Sequence, residues 1–114
     1  MPQMLTEGEE QLIDAFILLP LARKTLAWDK KAIEASAIKF KEPYIRAIEN
    51  MLARLSHDLY SIKRETGRQQ MKFYKRSDLD YTVFVRGWRF ERRYHPSIAA
   101  DWVKERVTNY LLNS

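Results

Sequence analysis

The side chains that most often carry acid–base or metal chemistry are scarce in this chain. It has no cysteine and two histidines, His57 and His95. His57 and Asp58 are neighbours on a predicted helix and so point in different directions, and no serine is placed to complete a catalytic triad. Two separated histidines and scattered carboxylates give no ligand spacing suited to a metal. We interpret His57 as a solvated helix residue and His95 as part of a turn.

Loops that could hold a phosphate group are also missing from the pattern. The chain has only three glycines, Gly8, Gly67 and Gly87, and they lie far apart. No glycine-rich loop is therefore available to surround a phosphate with backbone amides. The sequence predicts a protein that is not an enzyme and has no cofactor and no metal.

Positive charge is concentrated in one part of the chain. The net charge is +5, from 20 Lys and Arg against 15 Asp and Glu, yet residues 63–94 alone hold ten basic and four acidic residues. Aromatic residues are interleaved with these cations. Cations neutralise phosphates and release counterions, while exposed aromatic rings stack on bases. We predict a nucleic-acid-binding site formed by Lys72, Lys75, Arg76, Arg86, Arg89, Arg93, Phe73 and Phe84.

A two-residue periodicity over residues 70–94 predicts a three-stranded antiparallel meander. A two-residue turn at Arg86-Gly87 places Val83 opposite Phe90. The apolar side then holds Leu79, Tyr81, Val83, Val85, Trp88, Phe90 and Tyr94. The other side pairs Phe84 with Arg89, Thr82 with Glu91 and Asp80 with Arg93. A β-bulge at Gly87 inside one long strand would keep the same residues together on each side.

The side of the predicted sheet that faces outward is mixed in charge. It is expected to carry Phe73, Lys75, Phe84, Arg89 and Arg93, with Arg86 at the tip of the turn. Asp80 and Glu91 lie on the same side and offset part of its positive charge. Many of the aromatic residues would fit a protein core equally well. The sequence therefore leaves open whether this segment is a nucleic-acid-binding surface or an ordinary sheet whose aromatic residues belong to the core.

Helices are predicted before and after the strands. Thr6-Glu7-Gly8-Glu9 matches a capping box. Pro20 either kinks the helix that follows or begins a second one, and Asp29 is interpreted as the cap of a short helix through residue 33. A longer helix begins at Glu42-Pro43 and is expected to end at Gly67 in a left-handed conformation. His95-Pro96-Ser97 begins the last helix.

The long helix carries apolar residues every three or four positions. These are Ile45, Ile48, Leu52, Leu55, Leu59 and Ile62. Such a stripe covers the core of its own domain or forms a seam between two copies of the chain. The sequence leaves both interpretations open.

Length and composition favour one α+β domain over residues 1–114. Its parts are a helical region at 6–66, a β-meander or hairpin wing at 70–94 and a C-terminal helix at 96–112. The first ten residues are acidic where a secretory signal is basic, and the longest apolar run, residues 15–22, is too short to cross a bilayer. We therefore predict a cytoplasmic protein that does not bind membranes.

The order of elements from about residue 42 to 112 is similar in topology to the double-stranded-RNA-binding domain. The lysine cluster that opens the last helix of that family is absent, because Pro96 to Asp101 stand there without a lysine. Helices followed by a hairpin also resemble winged helix-turn-helix regulators, with Arg86-Gly87 as the wing and residues 42–65 as the reading helix. A helix of six turns is long for that role. Both likenesses concern topology alone.

Two functions from different classes remain. The first is a non-enzymatic nucleic-acid-binding protein, a small winged-helix-like or sheet-reading regulator that binds DNA or RNA. The second is a protein-interaction module, an adaptor or inhibitor that docks through the apolar stripe or the aromatic sheet face, with homodimer formation left open. An acidic protein partner would attract the same basic surface, so charge alone does not separate the two.

Overall fold

The computed structural model describes residues 4–113. Two helices come first, α1 (Glu7–Glu34) and α2 (Glu42–Arg68). Three strands follow, β1 (Lys72–Ser77), β2 (Asp80–Val85) and β3 (Trp88–Arg93), and α3 (Pro96–Leu112) ends the order. The strands form one antiparallel sheet in the order β1-β2-β3. The predicted α+β class is confirmed.

One continuous helix of 28 residues, α1, replaces the two shorter helices that the sequence left open. The predicted capping box is present: Glu9 N–H donates to the Thr6 hydroxyl at 3.1 Å, and Thr6 N–H donates to the Glu9 carboxylate at 2.8 Å. The helix continues through Pro20 and past Asp29, so the interpretation of Asp29 as a helix cap is wrong. Burial of apolar residues on both sides of Pro20 outweighs the one hydrogen bond that proline removes.

The apolar stripe of α2 packs within this chain. Ile48, Leu55 and Leu59 are buried, and Leu52 and Ile62 pack against the same cluster. Val103 and Tyr110 of α3 belong to this cluster as well. The stripe from Ile48 to Ile62 is therefore core, because a seam between two copies would leave it exposed in a single chain, while Ile45 lies outside both apolar clusters.

The end of α2 differs from the sequence prediction. Gly67 lies inside the helix, and the left-handed residue is Gln70, with φ of 59°. Met71 N–H donates to the Thr66 carbonyl at 2.9 Å and Gln70 N–H to the Gly67 carbonyl at 3.0 Å. This is the Schellman arrangement, with Gln70 in the position that glycine usually occupies. The prediction of Gly67 as the left-handed stop is wrong.

The β2–β3 hairpin has the register that the sequence predicts. Val85 lies opposite Trp88, Val83 opposite Phe90, and Thr82 opposite Glu91. Arg86 and Gly87 both have positive φ, at 53° and 79°, as in a type I′ turn. The hairpin interpretation is confirmed, and the segment does not form one long bulged strand.

Apolar residues form two clusters that share α1. One joins Leu19, Ala22 and Leu26 of α1 to α2 and α3. The other joins the earlier part of α1 to the sheet and contains Ile13, Ile17, Leu18, Met71, Val83, Val85 and Ala99. One side of the sheet therefore faces α1, and the opposite side carries no packed element among residues 4–113.

Candidate functional site

The uncovered side of the sheet, called the outer face below, gathers most of the predicted binding residues. Its members are Lys72, Tyr74, Arg76, Asp80, Thr82, Phe84, Arg89, Glu91 and Arg93. Alternation along each strand puts these side chains on one side, because successive residues of a strand point to opposite faces. The outer face thus combines arginines from β1 and β3 with aromatic rings from β1 and β2.

Three arginines surround two carboxylates on the outer face. Arg76 contacts both Asp80, at 3.3 Å, and Glu91. Arg89 pairs with Glu91 at 2.8 Å, and Arg93 lies 3.5 Å from Asp80. These five side chains line one shallow depression. The predicted cross-strand partners therefore meet, and each carboxylate contacts two arginines.

Solvent exposure keeps these ion pairs weak. The side chains of Arg89 and Arg93 are 62% and 79% exposed, and exposed pairs contribute about 0–1 kcal/mol. Hydrogen bonding from Arg76 and then Arg89 lowers the pKa of Glu91, and the Glu91 contact raises the pKa of Arg76. Because the pairs are weak, the arginines exchange partners at little cost.

Lys72 adds a further positive charge to the outer face. It is exposed and lies in register with Phe84 of β2. No carboxylate among the residues described pairs with it. Three arginines and one lysine against two carboxylates leave the outer face with an excess of two positive charges.

The aromatic rings of the sheet do not all lie where the sequence predicts. Phe84 is on the outer face, where its ring meets Tyr74 edge-on at a centroid distance of 5.7 Å. Phe73 is on the opposite side, stacked on Phe16 of α1 at 3.7 Å. The predicted outward position of Phe73 is wrong, and its neighbour Tyr74 takes that position. Sequence reasoning missed Tyr74 because it misjudged the register of β1.

Lys75 also leaves the predicted outward side. It is in register with Tyr81, one of the residues that pack towards α1. Its ammonium group lies 2.9 Å from Asp78, the turn residue that Lys24 of α1 approaches to 3.7 Å. The Asp78 contact raises the pKa of Lys75. Lys75 therefore belongs to the junction between the β1–β2 turn and α1.

Arg86, at the hairpin tip, is tied to the start of α1. Its guanidinium donates to the Glu9 carboxylate and, at 2.9 Å, to the Met4 carbonyl. This contact and the Thr6 backbone hydrogen bond lower the pKa of Glu9. The hairpin tip therefore folds back against α1, whereas a projecting wing would stand free of it.

A second cross-contact fixes β3 to α1. Asp14 accepts hydrogen bonds from the Arg92 guanidinium and the Tyr94 hydroxyl. Burial, together with the Asp14 hydrogen bond, raises the pKa of Tyr94. The sequence analysis did not identify Asp14, because Arg92 and Tyr94 lie about 80 positions away from it and no local pattern connects them.

Comparison with known proteins shows the family. A family model described as "YhjD protein" matches residues 4–114. The chain therefore belongs to the YhjD protein family. It is 28% identical over 112 residues to the protein of Bacillus subtilis (strain 168) named "Uncharacterized protein YhjD", an alignment that covers 94% of this chain and 92% of that protein. No solved structure matches the chain.

Three further findings on this YhjD family member concern an apolar groove, metal binding and membrane spanning. A cavity of about 600 Å³ lies between α1 and α3, and its lining includes Leu21, Leu79, Ala99, Val103 and Val107. Within residues 4–113, no three His, Cys, Asp or Glu side chains are grouped so that they could hold a metal ion. Over the same residues, no helix is both long and apolar enough to span a bilayer.

Proposed function

We propose that this YhjD family member is a non-enzymatic nucleic-acid-binding protein and that its contact surface is the outer face of the sheet. The observation that carries the proposal is the uncovered sheet side with four cations, two carboxylates, the exposed ring of Tyr74 and the half-buried ring of Phe84. Phosphate groups would replace the carboxylates as partners of Arg89 and Arg93. That exchange releases counterions from the nucleic acid, which supplies binding free energy.

Arg89 and Arg93 are the decisive residues for a test. Both are on β3, and both are more than half exposed. The double variant Arg89→Glu, Arg93→Glu removes two cations and adds two anions without touching a buried side chain. A control with the same change of charge is Lys31→Glu, Arg46→Glu, whose positions are exposed on α1 and α2.

The measurement is the affinity for a mixed set of fluorescent DNA and RNA oligonucleotides at several salt concentrations. We expect the outer-face variant to lose at least about tenfold in affinity at low salt. The slope of log affinity against log salt should flatten by about two, since each lost phosphate contact removes about one. The control variant should retain most of the affinity. Equal binding by the outer-face variant and the parent would refute the proposal.

A second candidate function is a protein-interaction module, which the groove between α1 and α3 favours. The groove is apolar along most of its lining, and an amphipathic partner helix fits such a surface. Purification separates the two candidates cheaply. A nucleic-acid binder retains polynucleotide with a high 260/280 absorbance ratio that salt reduces, whereas an interaction module elutes without it. Ala100→Arg, at an exposed position of the groove, would weaken only the second function.

A further inference from the structure

We infer that the outer face prefers single-stranded nucleic acid over duplex, with Tyr74 and Phe84 stacking on unpaired bases. This inference rests on the proposed function and specifies its ligand. The centroids of the two rings are 5.7 Å apart, and the ring planes are nearly perpendicular, at 87°. Tyr74 is 55% exposed. An edge-on pair on an open surface leaves a ring face available to a base.

Cations lie on both sides of the Phe84 ring. Lys72, Phe84 and Arg89 form one row across the three strands. Neighbouring strands lie about 4.8 Å apart, so the lysine and the arginine stand roughly 10 Å from each other with the Phe84 ring between them. A strand that crosses this row would place a base on the ring and phosphates near the two cations. Stacking of this kind tolerates any base, because every base has a π face.

Duplex nucleic acid fits the same surface poorly. Bases in a duplex are already stacked, so their faces are closed to Tyr74 and Phe84. Readout of a major groove needs a helix or a two-stranded ribbon that projects into it. The β2–β3 ribbon does not project, because β1 borders it on one side and Arg86 ties its tip to Glu9 of α1. Only phosphate contacts would remain for a duplex.

The test compares a fluorescein-labelled twelve-nucleotide oligo-dT with the duplex of the same length, by fluorescence anisotropy at fixed salt. We expect the parent to bind the single strand about tenfold more tightly. Tyr74→Ala should lose about tenfold in single-strand affinity and almost none in duplex affinity. Tyr74→Phe keeps the ring and should restore binding. Tyr60→Ala, at an exposed tyrosine of α2, is the matched control and should bind like the parent.

Failure of this inference and failure of the proposed function give different results. If single strand and duplex bind equally and Tyr74→Ala changes neither, while Arg89→Glu, Arg93→Glu weakens both, the stacking inference is refuted and the proposed function stands. If the parent binds neither probe, both are refuted. A thermal unfolding curve for Tyr74→Ala that overlays the parent's excludes loss of fold as the cause of weaker binding.

Discussion

Replacing Gly67 with alanine and Gln70 with glycine at the end of α2 should stabilise the protein. Gly67 lies within the helix, and a Cβ added there meets no atom within 4 Å. Gln70 has a left-handed backbone, at φ of 59°. Alanine is favoured over glycine in a helix by about 1 kcal/mol, and we expect about half of that near the last turn. A non-glycine residue in the left-handed conformation costs about 1 kcal/mol of stability, which Gln70→Gly removes. Glycine has more conformational freedom in the unfolded state, which costs about 0.5 kcal/mol on folding, so the net gain from this substitution is about 0.5 kcal/mol.

The double variant Gly67→Ala, Gln70→Gly should therefore gain about 1 kcal/mol in free energy of unfolding. An unfolding entropy of about 2.1 cal/mol/K per residue converts this gain into a rise of roughly 4 °C in Tm for a chain of this size. Urea denaturation followed by far-UV circular dichroism measures the gain. The m value should not change, since the variant exposes no additional surface on unfolding.

A matched substitution at the hairpin gives the opposite sign. Gly87 has φ of +79°, so Gly87→Ala should destabilise by about 1 kcal/mol, although no atom lies within 4 Å of the new Cβ. Gly67→Ala alone should stabilise. If Gly67→Ala destabilised the protein as Gly87→Ala does, Gly67 would be the left-handed residue and the arrangement described for the end of α2 would be wrong.

Three further predictions concern the core and its buried polar groups. Leu55→Ala should cost about 3 kcal/mol in urea denaturation because Leu55 is fully buried, and a cost below about 1 would contradict that packing. Asp14→Ala should cost about 2 kcal/mol by the same measurement, since it leaves the Tyr94 hydroxyl without its acceptor, and unchanged stability would show that the contact contributes nothing. Burial and the Asp58 hydrogen bond raise the pKa of Tyr110 to about 12. The stability that the protonated Tyr110 hydroxyl contributes is therefore fully present below about pH 10 and is lost as the pH rises towards 12. Urea midpoints measured across this range should fall less steeply in Tyr110→Phe, and parallel curves would contradict the shift.

The β2–β3 hairpin was predictable from sequence because three local signals agree. Arg86-Gly87 supplies a two-residue turn, apolar residues alternate on both sides of it, and charges of opposite sign stand across from each other. A slip by one residue would turn the whole apolar set towards solvent, which fixes the register strongly. The stripe of α2 was equally clear, since its spacing fits only a helix.

The register of β1 was not predictable in the same way. The strand pairing shifts between Lys75 and Ser77, just before the turn at Asp78-Leu79. The irregularity between Lys75 and Ser77 changes the pairing by one residue, and this reverses the side on which Phe73 and Lys75 lie. Contacts with α1 decide this choice, because Phe73 finds Phe16 only on the inner side. That partner is 57 positions away, beyond the reach of any local pattern.

The passage of α1 between two apolar clusters has a consequence for hydrogen exchange. Leu18 belongs to the cluster under the sheet and Leu19 to the cluster with α2 and α3. Pro20 follows at once and has no N–H to donate to the Phe16 carbonyl. The amides of residues 10–18 and 22–34 should thus report on two cooperative units that open with different free energies. A ligand on the sheet should slow exchange in the first set and leave the second set unchanged.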